Sequence, residues 1–120
     1  MNKNTLVIGA STHPERYSNK AIHKLSQYGH PVVAIGKNSG IVGEITIHTG
    51  FPSLENIHTV TLYINPTIQP SYYDYILSLH PKRVIFNPGT ENADFYDLLA
   101  QNNIEAIEAC TLVMLQTRQF

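Results

Sequence analysis

The hydrophobic positions of this chain of 120 residues follow two periods that take turns. Short apolar runs at Thr5–Ile8, "PVVAIG" (31–36), "TVTLYI" (59–64), "RVIFN" (83–87) and "IEAIEA" (104–109) predict five strands. The second is unbroken in its apolar character, as expected of a strand buried on both faces of a parallel sheet. Proline at 66 predicts the end of the third.

The intervening stretches change period. From Arg16 to Tyr28, the residues Ala21, Ile22, Leu25 and Tyr28 are spaced one, three and three apart, one face of a helix. Ser18 is its expected N-cap, and Gly29 with Pro31 its stop. Ser71–His80 predicts a second helix, with Tyr72, Tyr73, Ile76, Leu77 and Leu79 as its apolar side and Pro70 near the first turn. Asn92–Gln101 predicts a third, buried through Phe95, Leu98 and Leu99, and Thr111–Gln116 a short closing helix. Between Lys37 and Glu55 the pattern is weak and glycine-rich, which predicts a surface excursion with a short strand at Glu44–His48. "FPSLENI" (51–57) reads as a turn or a short helical turn. Tyr72, Tyr73 and Tyr75 cannot all face inward on one helix, so at least one is expected to be exposed, on a solvated face or in a homodimer contact.

Strands alternating with helices predict an α/β fold: a Rossmann-like, doubly wound parallel sheet of about five strands with helices on both faces, forming one domain over residues 1–120. The order 3-2-1-4-5 puts a switch point between strands 1 and 4, and ligands in such sheets bind outside the carboxyl ends of the strands. Five loops then converge on one edge: Gly9 to Arg16, Gly36 to Asn38, Asn65-Pro66, Asn87 to Glu91, and Ala109 to Thr111.

Composition narrows the function classes. A hydrophobic content of 42% suits a globular chain, and a net charge of −1 with mixed signs lacks the basic face of a nucleic-acid binder. The lone cysteine, Cys110, excludes an internal disulfide framework and fits a reducing compartment. The N-terminal apolar run is too short and too early for a secretory signal, and no segment has the roughly 20 apolar residues of a membrane span. The expectation is a cytoplasmic protein that contacts neither nucleic acid nor membrane.

The first loop, "GASTHPERYS", begins like a nucleotide-binding turn but lacks the second and third glycines of the dinucleotide fingerprint. Gly9 permits a sharp turn, Ala10 and Ser11 leave room for a phosphate on backbone N–H groups, and Ser11 and Ser18 add hydroxyl donors. Arg16 reads either as a bidentate phosphate ligand or as a solvated cation. An NAD site wants an acid near the end of the second strand; here that strand ends in Gly36-Lys37, and the next acid is Glu44. A lysine there suits a phosphorylated ribose, which NADP and coenzyme A share; the alternative is an ordinary loop lysine. No carboxylate pair, metal cluster or nucleophile–base arrangement stands out. The six histidines lack the i, i+4 spacing of a helical zinc pair. Cys110 begins the last helix, where a thiol is either activated or, more commonly, buried and inert.

The ordered stretches "GAS…PERYS", "L…GHPVVAIGKN", "FPSLENI" and "EAC" resemble the small CoA-binding proteins. These are stand-alone relatives of the CoA-binding domain of succinyl-CoA synthetase α-subunits and NDP-forming acyl-CoA synthetases, and the likeness covers essentially the whole chain. The resemblance implies a Rossmann-like fold that binds coenzyme A or an acyl-CoA. It puts Gly9, Ala10, Ser11 and Arg16 near the phosphates and Lys37 near the adenosine phosphate or ribose. Ile64, Asn65 and Pro66 would line the adenine side, Asn87, Pro88 and Gly89 would lie further along the groove, and Cys110 towards the pantetheine end. The chain departs from the family at Ile35-Gly36-Lys37, where many relatives have Val-Asn-Pro, and at Ala109, where many have arginine. The related ligases also need a phosphohistidine domain and an ATP-grasp domain, for which this chain is too short. The expected function is therefore a non-catalytic CoA-binding module acting alone, as a homodimer or with a partner enzyme. Its rivals are an NADP-binding oxidoreductase-like protein and an interaction protein that has lost its ligand.

Overall fold

The computed structural model describes residues 2–120 and arranges them around a seven-stranded sheet. The elements in chain order are β1 (Thr5–Ala10), α1 (Tyr17–Gln27), β2 (Val32–Gly36), β3 (Gly40–Val42), β4 (Ile45–His48) and β5 (Thr59–Leu62), then a 3₁₀ turn (Gln69–Tyr72) leading into α2 (Tyr73–Leu79), and finally β6 (Arg83–Phe86), α3 (Ala93–Gln101), β7 (Glu105–Glu108) and α4 (Thr111–Gln116). The strand order is β3-β4-β2-β1-β5-β6-β7, and every neighbouring pair is parallel except β3 with β4.

The two-residue alternation of β1 explains the layers. Leu6 and Ile8 face one side, with Val60, Leu62, Val84 and Phe86, and are covered by Ile76 of α2 and by Phe95 and Leu99 of α3. Val7 faces the other side, with Ala34 and Ile47, under Ile22 and Leu25 of α1 and Leu115 of α4. Ile22 and Leu25 are 1% and 0% exposed, and burial of each such side chain contributes roughly 1.5–3 kcal/mol. The expected Rossmann-like class with helices on both faces is the one found.

The expected strand order needs correction. The "TVTLYI" strand, β5, does not lie outside β2; it pairs with the opposite side of β1. The place beside β2 is taken by β4, which pairs parallel to it after a tight reversal through the antiparallel β3. Gly43, at φ +60, makes that reversal. The excursion after Lys37 thus builds the sheet edge itself, and the chain crosses to the far side of β1 before β5. The switch point lies between β1 and β5 rather than between β1 and the "RVIFN" strand.

Three local expectations also change. Ser18 is not the N-cap of α1. The Arg16 N–H donates to the His13 carbonyl, which closes a turn that makes Arg16 the cap, and Ser18 falls inside the helix, 3% exposed. "FPSLENI" forms neither a turn nor a helical turn but an irregular strap, anchored by Ile57 in the core. That strap bears on Tyr72, Tyr73 and Tyr75, none of which is exposed. Phe51 packs on Tyr72 and Tyr75, the Tyr75 hydroxyl donates to the Pro52 carbonyl (2.6 Å), and Tyr73 stacks on Phe95.

At the carboxyl edge a buried polar cluster ties α4 to the sheet. Asn87 Nδ2 donates to Thr61 Oγ1 (2.6 Å) and the Leu62 carbonyl (2.9 Å), while its Oδ1 accepts from the Thr111 N–H (2.9 Å). The Thr61 and Thr111 hydroxyls bond each other at 2.8 Å. The Tyr63 hydroxyl is buried beside them without a partner. Burial pushes its pKa up to about 12 against the weaker opposing pull of those two hydroxyls, which are already engaged with each other.

Two outcomes follow from this cluster. Asn87→Ala leaves the buried Thr111 N–H without its partner and takes one donor from Thr61, and lowers unfolding stability by about 1–3 kcal/mol in urea titrations with an unchanged slope. Tyr63 keeps its proton in the folded chain where the unfolded chain, at about 10.0, releases it. Stability therefore falls as pH rises from about 10 towards about 12, and Tyr63→Phe shows a smaller fall over that window by chemical denaturation.

Candidate functional site

Two close backbone approaches shape the carboxyl edge. Gly9 sits at φ +95, where a Cβ would lie 2.9 Å from the Tyr63 carbonyl carbon. At Gly36 a Cβ would collide with the Ala10 carbonyl oxygen and lie 2.9 Å from an Ile47 methyl. The β1–β2 register slips between Ile8 and Ala10, so the chain leaves β1 with a kink at Gly9. The loops after β1 and β2 are thereby held side by side, facing the segment after β5.

Between them opens a cleft of about 420 Å³. It brings together Gly9, Ala10, Ser11 and Arg16 from the first loop, Gly36 and Lys37 from the second, and Ile64 from the third. Of the residues singled out from sequence, the others lie outside its lining. Ser18 is buried in the first turn of α1. Asn65 shapes the following turn, its Oδ1 accepting from the Ile68 N–H, and Pro66 is exposed. The side-chain amide of Asn87 is engaged inside the fold. Pro88 and Gly89 are exposed, with the Gly89 N–H donating to the Glu91 carboxylate. Cys110 is half-buried at the start of α4.

The cleft has two unlike walls. On one, α1 begins with no side-chain cap and no acid in its first turn, so its leading N–H groups and positive dipole end are available. Arg16 and Lys37 both line this space, and the lining residues include no carboxylate. Among the described residues the only contact of ion-pair length with an aspartate or glutamate is His13 with Glu15, at 3.8 Å with both side chains exposed and charged only when the imidazole is protonated, so neither Arg16 nor Lys37 has an acidic partner. The loop itself is braced: the Ser11 hydroxyl accepts from the His13 N–H, and the Ser11 carbonyl from Asn19 Nδ2. Unpaired cations beside an open helix start form an anion cradle. The other wall is apolar, made by Ile64, Ile68 and Tyr72.

Sequence reasoning missed Thr12, His13, Asn38 and Ser39 on the polar wall and Ile68 and Tyr72 on the apolar one. Thr12, His13 and Asn38 lie inside the loops already placed at this edge, though none was singled out, and Ser39 lies one position past the second loop. Tyr72 carried no such signal, because on the helix expected over Ser71–His80 it reads as core, and Ile68 fell between expected elements. Gln69 was missed as well. It is fully buried, donating to the Ile64 and Thr90 carbonyls (3.0 and 2.7 Å) and accepting from Asn92 Nδ2 (2.9 Å). It fastens the apolar wall to the loop before α3. Among the described residues no three histidine, cysteine or acidic side chains gather as a metal site, and no helix is long and apolar enough to cross a membrane.

Comparisons with known proteins agree with this architecture. A crystal structure of an uncharacterized protein matches with 48% identity and a TM-score of 0.97, over 100% of this chain and 99% of that one. A cell-free protein from Thermus thermophilus matches with 18% identity and a TM-score of 0.87, over 99% of this chain and 91% of its own. A hypothetical protein from Pyrococcus horikoshii matches with 20% identity and a TM-score of 0.87, over 98% and 84%. The last two likenesses establish the fold alone. No curated protein matches. The CoA binding domain family matches residues 3–116, nearly the whole length, and the chain belongs to that family.

Proposed function

We propose that the chain is a non-catalytic module that binds coenzyme A or an acyl-CoA, with the nucleotide end in the cleft. The observation that carries the reading is the pair of unneutralised cations, Arg16 and Lys37, in one cavity with the uncapped start of α1. Coenzyme A carries a diphosphate and a ribose phosphate. Arg16 and the first-loop N–H groups take the diphosphate, and Lys37, with Asn38 and Ser39 beside it, takes the ribose phosphate. The same end of β2 lacks the acid that an unphosphorylated ribose would want. NADP shares that phosphate; membership of the CoA binding domain family favours coenzyme A over it.

From the cleft the pantetheine arm runs along the carboxyl edge past Asn65, Pro66, Pro88 and Gly89 towards Cys110. Asn87 and Ser18 support this path from inside the fold. Binding for sensing, carriage or presentation to a partner enzyme is the activity such a surface supports.

Thermal unfolding with and without ligand tests the reading. Coenzyme A at 100 times its Kd adds about 2.7 kcal/mol to apparent stability, which raises the midpoint by several degrees. NADPH gives no comparable rise. Arg16→Ala and Lys37→Ala, both exposed and unpaired, leave the ligand-free midpoint unchanged and each weaken coenzyme A by roughly 5- to 30-fold, less at high salt. A rise with NADPH and none with millimolar coenzyme A would reverse the assignment.

A further inference from the structure

The apolar wall of the cleft is continuous with an aromatic cluster on the surface. Phe51 is 57% exposed and Ile68 47% exposed, both unusual for side chains of their size. Tyr72 joins them. It shares the cleft lining with Ile64 and Ile68, and the Phe51 ring meets it edge-on at 5.3 Å and 68°. Phe51 also packs on Tyr75 at 5.1 Å, and the bond from the Tyr75 hydroxyl to the Pro52 carbonyl pins the strap that carries Phe51. Two aromatic residues distant in sequence are thus held beside the anion cradle.

We propose that the ring of Tyr72, braced by Phe51 and bordered by Ile64 and Ile68, is the platform on which the purine base of the ligand stacks, and that it makes the cleft selective for the nucleotide end. The inference rests on the coenzyme A reading and adds to it the residue that recognises the base.

Proximity decides between the base and an acyl or pantetheine chain as the occupant. Lys37, Asn38, Ser39 and Tyr72 line the same cavity of about 420 Å³, so phosphate ligands and aromatic ring engage one compact portion of the ligand. In a nucleotide a single ribose separates the base from its phosphates. The thiol end of coenzyme A lies a long flexible arm away. The lining cations Arg16 and Lys37 come from the loops after β1 and β2, and the large apolar side chains Ile64, Ile68 and Tyr72 all come from the segment after β5. A ligand that is anionic on one side and flat and apolar on the other fits both walls. Phe51 is a positioning residue in this arrangement, because its contact fixes the attitude of Tyr72.

Calorimetry on the full chain with coenzyme A, adenosine 3′,5′-bisphosphate and 4′-phosphopantetheine tests the platform. Tyr72→Ala is expected to weaken the first two by about 5- to 30-fold, within the range for base–aromatic stacking, and to leave 4′-phosphopantetheine unaffected. Tyr72→Phe restores binding, since the ring rather than the hydroxyl is at work. The chain has no tryptophan, so Tyr72→Trp supplies a single fluorescent reporter, quenched by coenzyme A and by the bisphosphate but not by 4′-phosphopantetheine. Should Tyr72→Ala fail to fold, that reporter decides alone. Loss of 4′-phosphopantetheine in Tyr72→Ala, or quenching of Tyr72→Trp by that ligand only, would assign the wall to the arm and overturn the proposal. Undiminished coenzyme A binding in Tyr72→Ala would overturn it too. Wild-type chain that binds the bisphosphate but not coenzyme A keeps the platform and defeats the coenzyme A reading; binding of neither defeats both.

Discussion

The functional edge depends on backbone meeting backbone where β1 leaves the sheet. Gly9 lies against the Tyr63 carbonyl, and Gly36 against the Ala10 carbonyl, at distances no side chain would permit. These contacts are possible because β1 is central and buried on both faces, so its neighbours cannot shift outwards without breaking two cores at once. The kink at Gly9 then aims the loop towards the start of α1, and the second loop is pressed alongside it. Arg16 and Lys37, 21 residues apart in sequence, share a cavity for this reason.

Polar groups at the same edge divide into two kinds. Asn87, Gln69, Thr61 and Thr111 bond to one another or to backbone carbonyls, inside a low-dielectric interior where an unmet partner is expensive. Their role is to make several loops into one rigid rim. Arg16 and Lys37 lack such partners and line open space, and the start of α1 has no side-chain cap. A side chain's type does not say to which kind it belongs. Asn87 has donors and an acceptor suited to a ligand, yet three hydrogen bonds within the fold engage its amide.

The strap after β4 shows a similar division. Its sequence, "FPSLENI", has the small and polar residues of a turn, and its conformation is set by what it crosses. Leu54 and Ile57 pack on the core, Pro52 accepts the Tyr75 hydroxyl, and Phe51 is left half outside against Tyr72. Tyr72 of the 3₁₀ turn and Tyr75 of α2 are thereby covered, and an aromatic pair is carried to the mouth of the cleft.

Local pattern determined much of this protein. The run "VVAIG" has the unbroken apolar character of a strand buried on both faces, "TVTLYI" has the β-branched content of a strand, and the spacing of Ala21, Ile22 and Leu25 admits one buried helical face. The closing helix Thr111–Gln116 and the extent of α3 were legible for the same reason, the Asn92 cap being settled by the structure. So was the core of the candidate site, since Gly9, Ser11, Arg16 and Lys37 stand next to strand ends and the Rossmann-like topology brings strand ends together. Tertiary structure decided the rest. The neighbour of β2 follows from the Gly43 reversal, which turns the chain back so that the four-residue β4 takes the place beside β2 and β5 pairs on the far side of β1. The apolar wall of Ile68 and Tyr72 has the periodicity of core residues, and only packing beside an open cleft distinguishes it from them. Hydrophobic period reports which face of an element is buried; it carries no information about what, chain or ligand, completes the burial.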